Sequence, residues 1–242
     1  MILLLLAAVA APALASRCPA GASADAAVCR ALEANAAGRP ADAAFQFEAA
    51  AAAGKPGDPA TARALAAAGN LWIAAGQPGK AALDLDRALA GTGLQAEQRG
   101  EALLDRARAA EAQNDLKTAR AKVSEATATI SGDAFLWYFS TALAIREGDV
   151  PAAKLAIGRA LTLAPNDPTV LFEAGHVSSM AGEEATARNF WTRAAAGDPT
   201  GATGKAAREA LAMSEVPLSV RRPVTAPAPQ RAPARPAAQP RS

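Results

Sequence analysis

Residues 134–167, AFLWYFSTALAIREGDVPAAKLAIGRALTLAPND, and 168–201, PTVLFEAGHVSSMAGEEATARNFWTRAAAGDPTG, repeat one another without a gap. A shift of 34 residues carries Trp137 onto Leu171, Gly148 onto Gly182, Ala153 onto Ala187, Ala160 onto Ala194 and Pro165 onto Pro199. A fixed period of this length marks stacked helical repeats, each unit being one supersecondary element.

The phase extends backward. Inner breaks fall at Gly38, Gly76, Asn114, Gly148 and Gly182, spaced 38, 38, 34 and 34 residues apart. Glycine is the preferred left-handed residue just past a helix end, and asparagine is the usual second choice. After each break a second helix opens, at Pro40, Pro78, Leu116, Pro151 and Glu184; proline suits a first helical turn because its missing N–H costs nothing there. Between units, Asp58-Pro59 and Asp167-Pro168 pair an N-cap acceptor with proline, and Asp133 caps the helix that carries Trp137. The two longer spacings place extra residues near Lys55-Pro56-Gly57 and Gly91-Thr92-Gly93, where surface loops absorb insertions cheaply.

Composition agrees. About 70 of the 242 residues are alanine, with one Tyr, three Trp and six Phe. Alanine is the best helix former, so the chain should be all-α, with closely packed helices doing the burying. The formal charge is +2. Arg221, Arg222, Arg231, Arg235 and Arg241 lie in 216–242 without an acid, which leaves the remainder at −3. A balance this small does not point to nucleic acid.

The two ends differ from the repeats. Residues 1–15 form an apolar run closed by Ala13-Leu14-Ala15, which reads as a signal peptide without a basic n-region; as a membrane span it is too short. The chain is therefore expected to be periplasmic or secreted. In 16–24 and the first helix, Cys18 and Cys29 are the only cysteines, and an oxidising compartment permits a disulfide between them. Residues 201–215 read as a capping helix over Thr203 to Ser214, with Ala207, Leu211 and Met213 inward and Gly201 and Gly204 softening its start. From Val216 the pattern of Pro, Ala and Arg cannot bury a core and is expected to be a disordered tail.

The residues resemble the tetratricopeptide repeat (TPR) family, whose unit is an antiparallel helix pair. Unit 168–201 supplies Leu171, Gly175, Ala187, Trp191, Ala194 and Pro199, and unit 134–167 supplies Trp137, Ala153, Ile157, Ala160 and Pro165, with Thr141 where Gly or Ala is usual. Unit 62–95 supplies Leu65, Gly69, Trp72, Ala81, Leu85 and Ala88; unit 100–133 supplies Leu103, Ala107, Ala119, Val123 and Ala126; unit 24–57 supplies Ala31, Ala43, Phe47 and Ala50. The resemblance implies a right-handed α-solenoid of about five units over 25–200, with a non-enzymatic role in holding a peptide or protein.

It also implies where a ligand would lie, on the concave face formed by the first helix of each unit. The side of those helices away from the packing positions carries Asn70 and Ile73, then Leu104, Arg108 and Glu111, then Phe135, Tyr138, Ala142 and Ile145, then Phe172, His176 and Met180. Asn70, Arg108, Phe135, Tyr138, Phe172 and His176 are the candidate partner-binding residues, the four aromatic ones as a wall of anchors. An enzyme is not expected. His176 is the only histidine, there is no nucleophile elbow or phosphate loop, and no ligand set suggests a metal or other cofactor. The alternative reading is an envelope-organising protein whose basic tail contacts anionic wall or membrane surface.

Overall fold

The computed structural model describes residues 18–214. The signal-peptide reading and the tail, with its proposed wall or membrane contacts, lie outside the described residues. Eleven helices account for the regular structure of the described part, and no strand occurs there. The first helices of the five units are α1 (Ala24–Ala36), α3 (Pro59–Ala74), α5 (Ala96–Ala112), α7 (Ala134–Glu147) and α9 (Pro168–Met180). The second helices are α2 (Pro40–Ala53), α4 (Pro78–Leu89), α6 (Leu116–Ile130), α8 (Val150–Leu163) and α10 (Glu184–Gly197), and α11 (Ala202–Ser214) follows.

The turns obey one rule. Gly38, Gly76, Asn114, Gly148 and Gly182 all have φ between 62° and 76°, and Asn114 is the only non-glycine among the described residues with positive φ. In each turn the following N–H reaches back to a carbonyl of the preceding helix, as from Gln77 to Trp72 or Glu183 to Ser178, the Schellman closure that a left-handed residue permits. Asp58, Asp133 and Asp167 cap the first helices of their units by accepting from backbone N–H groups. Asp115 and Asp149, each directly after a left-handed residue, do the same for α6 and α8.

Packing explains the small residues. On the second helices Ala43, Ala81, Ala119, Ala153 and Ala187 are fully buried, and one or two turns on Leu85, Val123, Ile157 and Trp191 fill the space against the first helix. A Cβ on Gly69 would sit 2.4 Å from Leu85 Cγ, and one on Gly175 would sit 2.2 Å from Trp191 Nε1. These glycines are where the two helices of a unit touch. Thr141, the departure from the family pattern, is completely buried, and its hydroxyl donates to the Trp137 carbonyl at 2.8 Å. Back-bonding within the helix thus satisfies the one polar atom that the substitution adds.

No unit buries its apolar face alone, so each leans on the next and the core runs through the array. At the first end Cys18 and Cys29 are joined by a disulfide, and Arg30 donates to the Gly21 carbonyl. This ties the leading segment to α1, the first helix of the described residues. At the other end α11 covers α9 and α10, with Ala207 buried and Leu211 packed beside it. Met213 is 52% exposed, contrary to the inward position expected, because the apolar stripe of α11 ends at Leu211. Gly201 and Gly204 also have a packing role. A Cβ on Gly204 would lie 1.6 Å from the Asp198 carbonyl oxygen, while the Gly201 and Gly204 N–H groups both donate to the Asp198 carboxylate. Close approach is what requires them.

Candidate functional site

The first helices line one face of the array, with α3 against α5 and α7 against α9. Register alone places Asn70, Arg108, Ala142 and His176 at equivalent positions. Their surroundings differ. Asn70 donates to Asp105 Oδ2 at 2.8 Å, and Arg108 donates to Asp105 Oδ1 at 2.8 Å. Arg108 is buried, and its guanidinium lies 5.6 Å from the centre of the Phe135 ring. Asp105 therefore staples α3 to α5, and Arg108 carries the link on to α7. Arg108 was expected as an open partner contact; it is instead a paired structural cation, since a buried guanidinium requires a partner. Further along the same face Arg146 of α7 pairs with Glu111 and donates to Asn114 at 2.8 Å.

The aromatic residues divide into two groups. Phe135 packs against Tyr138 at 5.8 Å and Phe139 at 6.5 Å between ring centres. Tyr138 was expected to be an exposed anchor, yet it is 8% exposed and part of the core. Helix α7 is apolar or aromatic on almost every side over Phe135–Phe139, so neighbouring units cover this ring as well as Leu136. Burial, helped by the charges of Glu173 and Asp167, pushes the Tyr138 phenol far above its ordinary range. The second group is more open. Phe172 and His176 lie 4.4 Å apart between ring centres, His176 meets the edge of Trp191 at 5.8 Å, and His176 Nδ1 is 3.5 Å from Glu173. Both rings are half-buried. The Trp191 indole N–H donates to the Phe172 carbonyl at 3.2 Å, which fixes this corner.

Beside the first group is a cavity of about 130 Å³ lined by Ala134, Phe135, Tyr138, Asp167, Thr169 and Val170. It joins the start of α7 to the start of α9. A larger cavity of about 370 Å³ lies at the two longer connections, among residues such as Gly54, Pro56, Thr61, Arg87 and Gly91, and has no aromatic lining. Asp105, Glu173 and Arg146 were absent from the sequence-based candidates although they organise the face. Partners in the preceding unit reveal Asp105 and Arg146, and His176 one turn on reveals Glu173.

Two further surface features bear on function. Phe45, Leu83 and Leu155 occupy one register position on successive second helices and are 61%, 68% and 68% exposed, with Ala121 between the last two. Between α2 and α4, the buried Asp84 accepts from Arg87 at 3.2 Å through Oδ1, while Oδ2 has no hydrogen-bond partner. Glu48 stands beside it, accepting from the Trp72 indole at 2.7 Å, and Lys80 sits 4.1 Å over the Trp72 ring. Burial first, then the Glu48 carboxyl, raises the Asp84 pKa from 3.8 to about 6, against the opposing pull of Arg87.

No protein-family model matches the sequence, and no curated protein matches it. Solved structures do. A tetratricopeptide repeat protein from Parabacteroides merdae superposes with a TM-score of 0.65 at 14% identity, covering 79% of this chain and 73% of that one. The fold is that of the tetratricopeptide-repeat proteins. Pseudomonas aeruginosa pilF gives a TM-score of 0.65 at 14% identity over 78% of this chain and 82% of its own. YrrB, described as a TPR protein with an unusual peptide-binding site, gives 0.58 at 15% over 77% and 92%. Among the described residues, no helix is long and apolar enough to cross a membrane.

Proposed function

We propose that this chain is an exported, non-enzymatic member of the tetratricopeptide repeat family that holds a peptide or protein segment against its first-helix face. The observation that carries the reading is that the first helices α7 and α9 carry both the half-buried Phe172–His176 pair and the cavity at Phe135 and Tyr138. Aromatic anchors next to a fixed recess are what concentrates binding energy in a few residues. The polar groups of the face are largely spent on one another, Asn70 and Arg108 on Asp105 and Arg146 on Glu111. Such a face is held rigid before a ligand arrives, which limits the ordering cost of binding. Export is supported by the disulfide between Cys18 and Cys29, since such bonds persist in oxidising compartments.

The test is selection of binders from a displayed random-peptide library on the full chain, followed by titration of one selected peptide. Phe172→Ala is expected to weaken it about tenfold or more, as hot-spot truncation does. Leu83→Ala, on the second-helix side, should leave it unchanged. Equal loss in both variants, or loss only in Leu83→Ala, would move the binding surface elsewhere.

A further inference from the structure

We propose that the chain's own C-terminal segment, 216–242, occupies the first-helix face, seating an arginine side chain in the cavity between α7 and α9. The inference rests on the first-helix face being the binding face. Chemistry selects the occupant. Phe135 and Tyr138 offer ring surfaces, Asp167 lines the recess, and Glu173 is close enough for its charge to act on Tyr138. Tyr138 is more than nine-tenths buried, and among the described residues no hydrogen bond to its hydroxyl occurs. Arg108, the cation over the Phe135 ring, is already matched by Asp105 at 2.8 Å. Aromatic faces, an open phenol oxygen and the Asp167 carboxylate, with the Glu173 charge nearby, suit a cationic side chain with several N–H donors. The recess of about 130 Å³ equals the liquid share of about four waters, which matches the head of an arginine rather than a helix.

The segment that meets this demand is already in the chain. It contains Arg221, Arg222, Arg231, Arg235 and Arg241 and no acidic residue. Helix α11 ends at Ser214, whose hydroxyl accepts from Arg188 near the start of α10. From there to the start of α9 is one helix length, about 20 Å, plus one or two helix spacings of about 10 Å. An extended chain at about 3.1 Å per residue covers that in roughly ten residues, so Arg231 and Arg235 reach with slack. Tethering supplies an effective concentration on the order of millimolar, so a weak contact suffices to occupy the face until a tighter ligand displaces it.

The experiment is amide hydrogen exchange on the full chain at low ionic strength. It compares the natural sequence, a variant with the five tail arginines changed to serine, and the double variant Asp167→Asn, Glu173→Gln, whose asparagine keeps the helix cap. Both variants should exchange several-fold faster over 134–142 and 167–176, with no further gain when they are combined. The protection should survive tenfold dilution. Identical exchange in all forms would overturn the proposal, as would protection that falls on dilution, which would mean a second copy's tail. A library-selected peptide should bind the arginine-free variant several-fold more tightly than the natural chain. Unchanged peptide affinity overturns the self-occupancy alone, whereas loss of all peptide binding at this face overturns the reading beneath it.

Discussion

Gly175→Ala sets two energies against each other. In a helix interior alanine is better than glycine by about 1 kcal/mol, so local propensity predicts stabilisation. Packing opposes it. The new methyl would lie 2.2, 2.4 and 2.7 Å from Trp191 Nε1, Cδ1 and Cε2, distances that require something to move. The indole is rigid, 5% exposed and held by its bond to the Phe172 carbonyl, so relief must come from parting α9 and α10. Overpacking of this kind costs about 1–3 kcal/mol, and three sub-contact distances to one rigid ring place it at the upper end. The expected net change is about 1–2 kcal/mol of destabilisation, read from urea unfolding. The double variant Gly175→Ala, Trp191→Leu then separates the causes. A flexible side chain accommodates the methyl, so the double variant should lose at least 1 kcal/mol less than the two single losses combined. A stabilised Gly175→Ala chain, or strictly additive losses, would refute the claim that helix contact selects this glycine.

The other predictions concern different ends of the array. With a folded pKa of about 6 against an ordinary 3.8, Asp84 favours folding fully below about pH 4, and that contribution is lost as pH rises through 6. Each tenfold change in acidity is worth about 1.4 kcal/mol, so Asp84→Asn should gain about 1–3 kcal/mol over the natural chain at pH 7.5 and little at pH values below about 4; a gain independent of pH would contradict the assignment. Cys29→Ser opens a loop whose closure is worth about 3 kcal/mol in the chain-entropy model. Its effect should be confined to faster amide exchange in α1 and α2, with α7 to α10 unchanged, because units couple only to neighbours. Asn114→Ala forces a Cβ-bearing residue without a polar side chain to φ of 62° and removes the acceptor for Arg146; thermal denaturation should show a loss of about 1–3 kcal/mol, and Asn114→Gly should lose less.

Much of the fold was legible because each repeat meets the same constraints. A left-handed residue must end the first helix, so Gly38, Gly76, Asn114, Gly148 and Gly182 stand in phase. A small residue must face the neighbouring helix, so the buried alanines recur with them. What the pattern could not show depends on particular partners. Arg108 sits at the register position of Asn70 and His176, yet it is buried because Asp105, one turn earlier, pairs with it. Tyr138 was misplaced because Phe135–Phe139 is aromatic or aliphatic throughout, and a period cannot be read where every position is apolar. Asp84 and Glu48 meet across two units, a distance no local motif encodes. Asp115 and Asp149 were readable in principle, as acids directly following the left-handed residue.

The central claim is that the first-helix face is where a partner is held. Its most direct test is hydrogen exchange of the full chain with and without a saturating library-selected peptide. Protection is expected along α7 and α9, strongest near Phe135 and Phe172, with α4 and α8 around Leu83 and Leu155 unchanged. Protection confined to the second helices, with α7 and α9 unaffected, would contradict it.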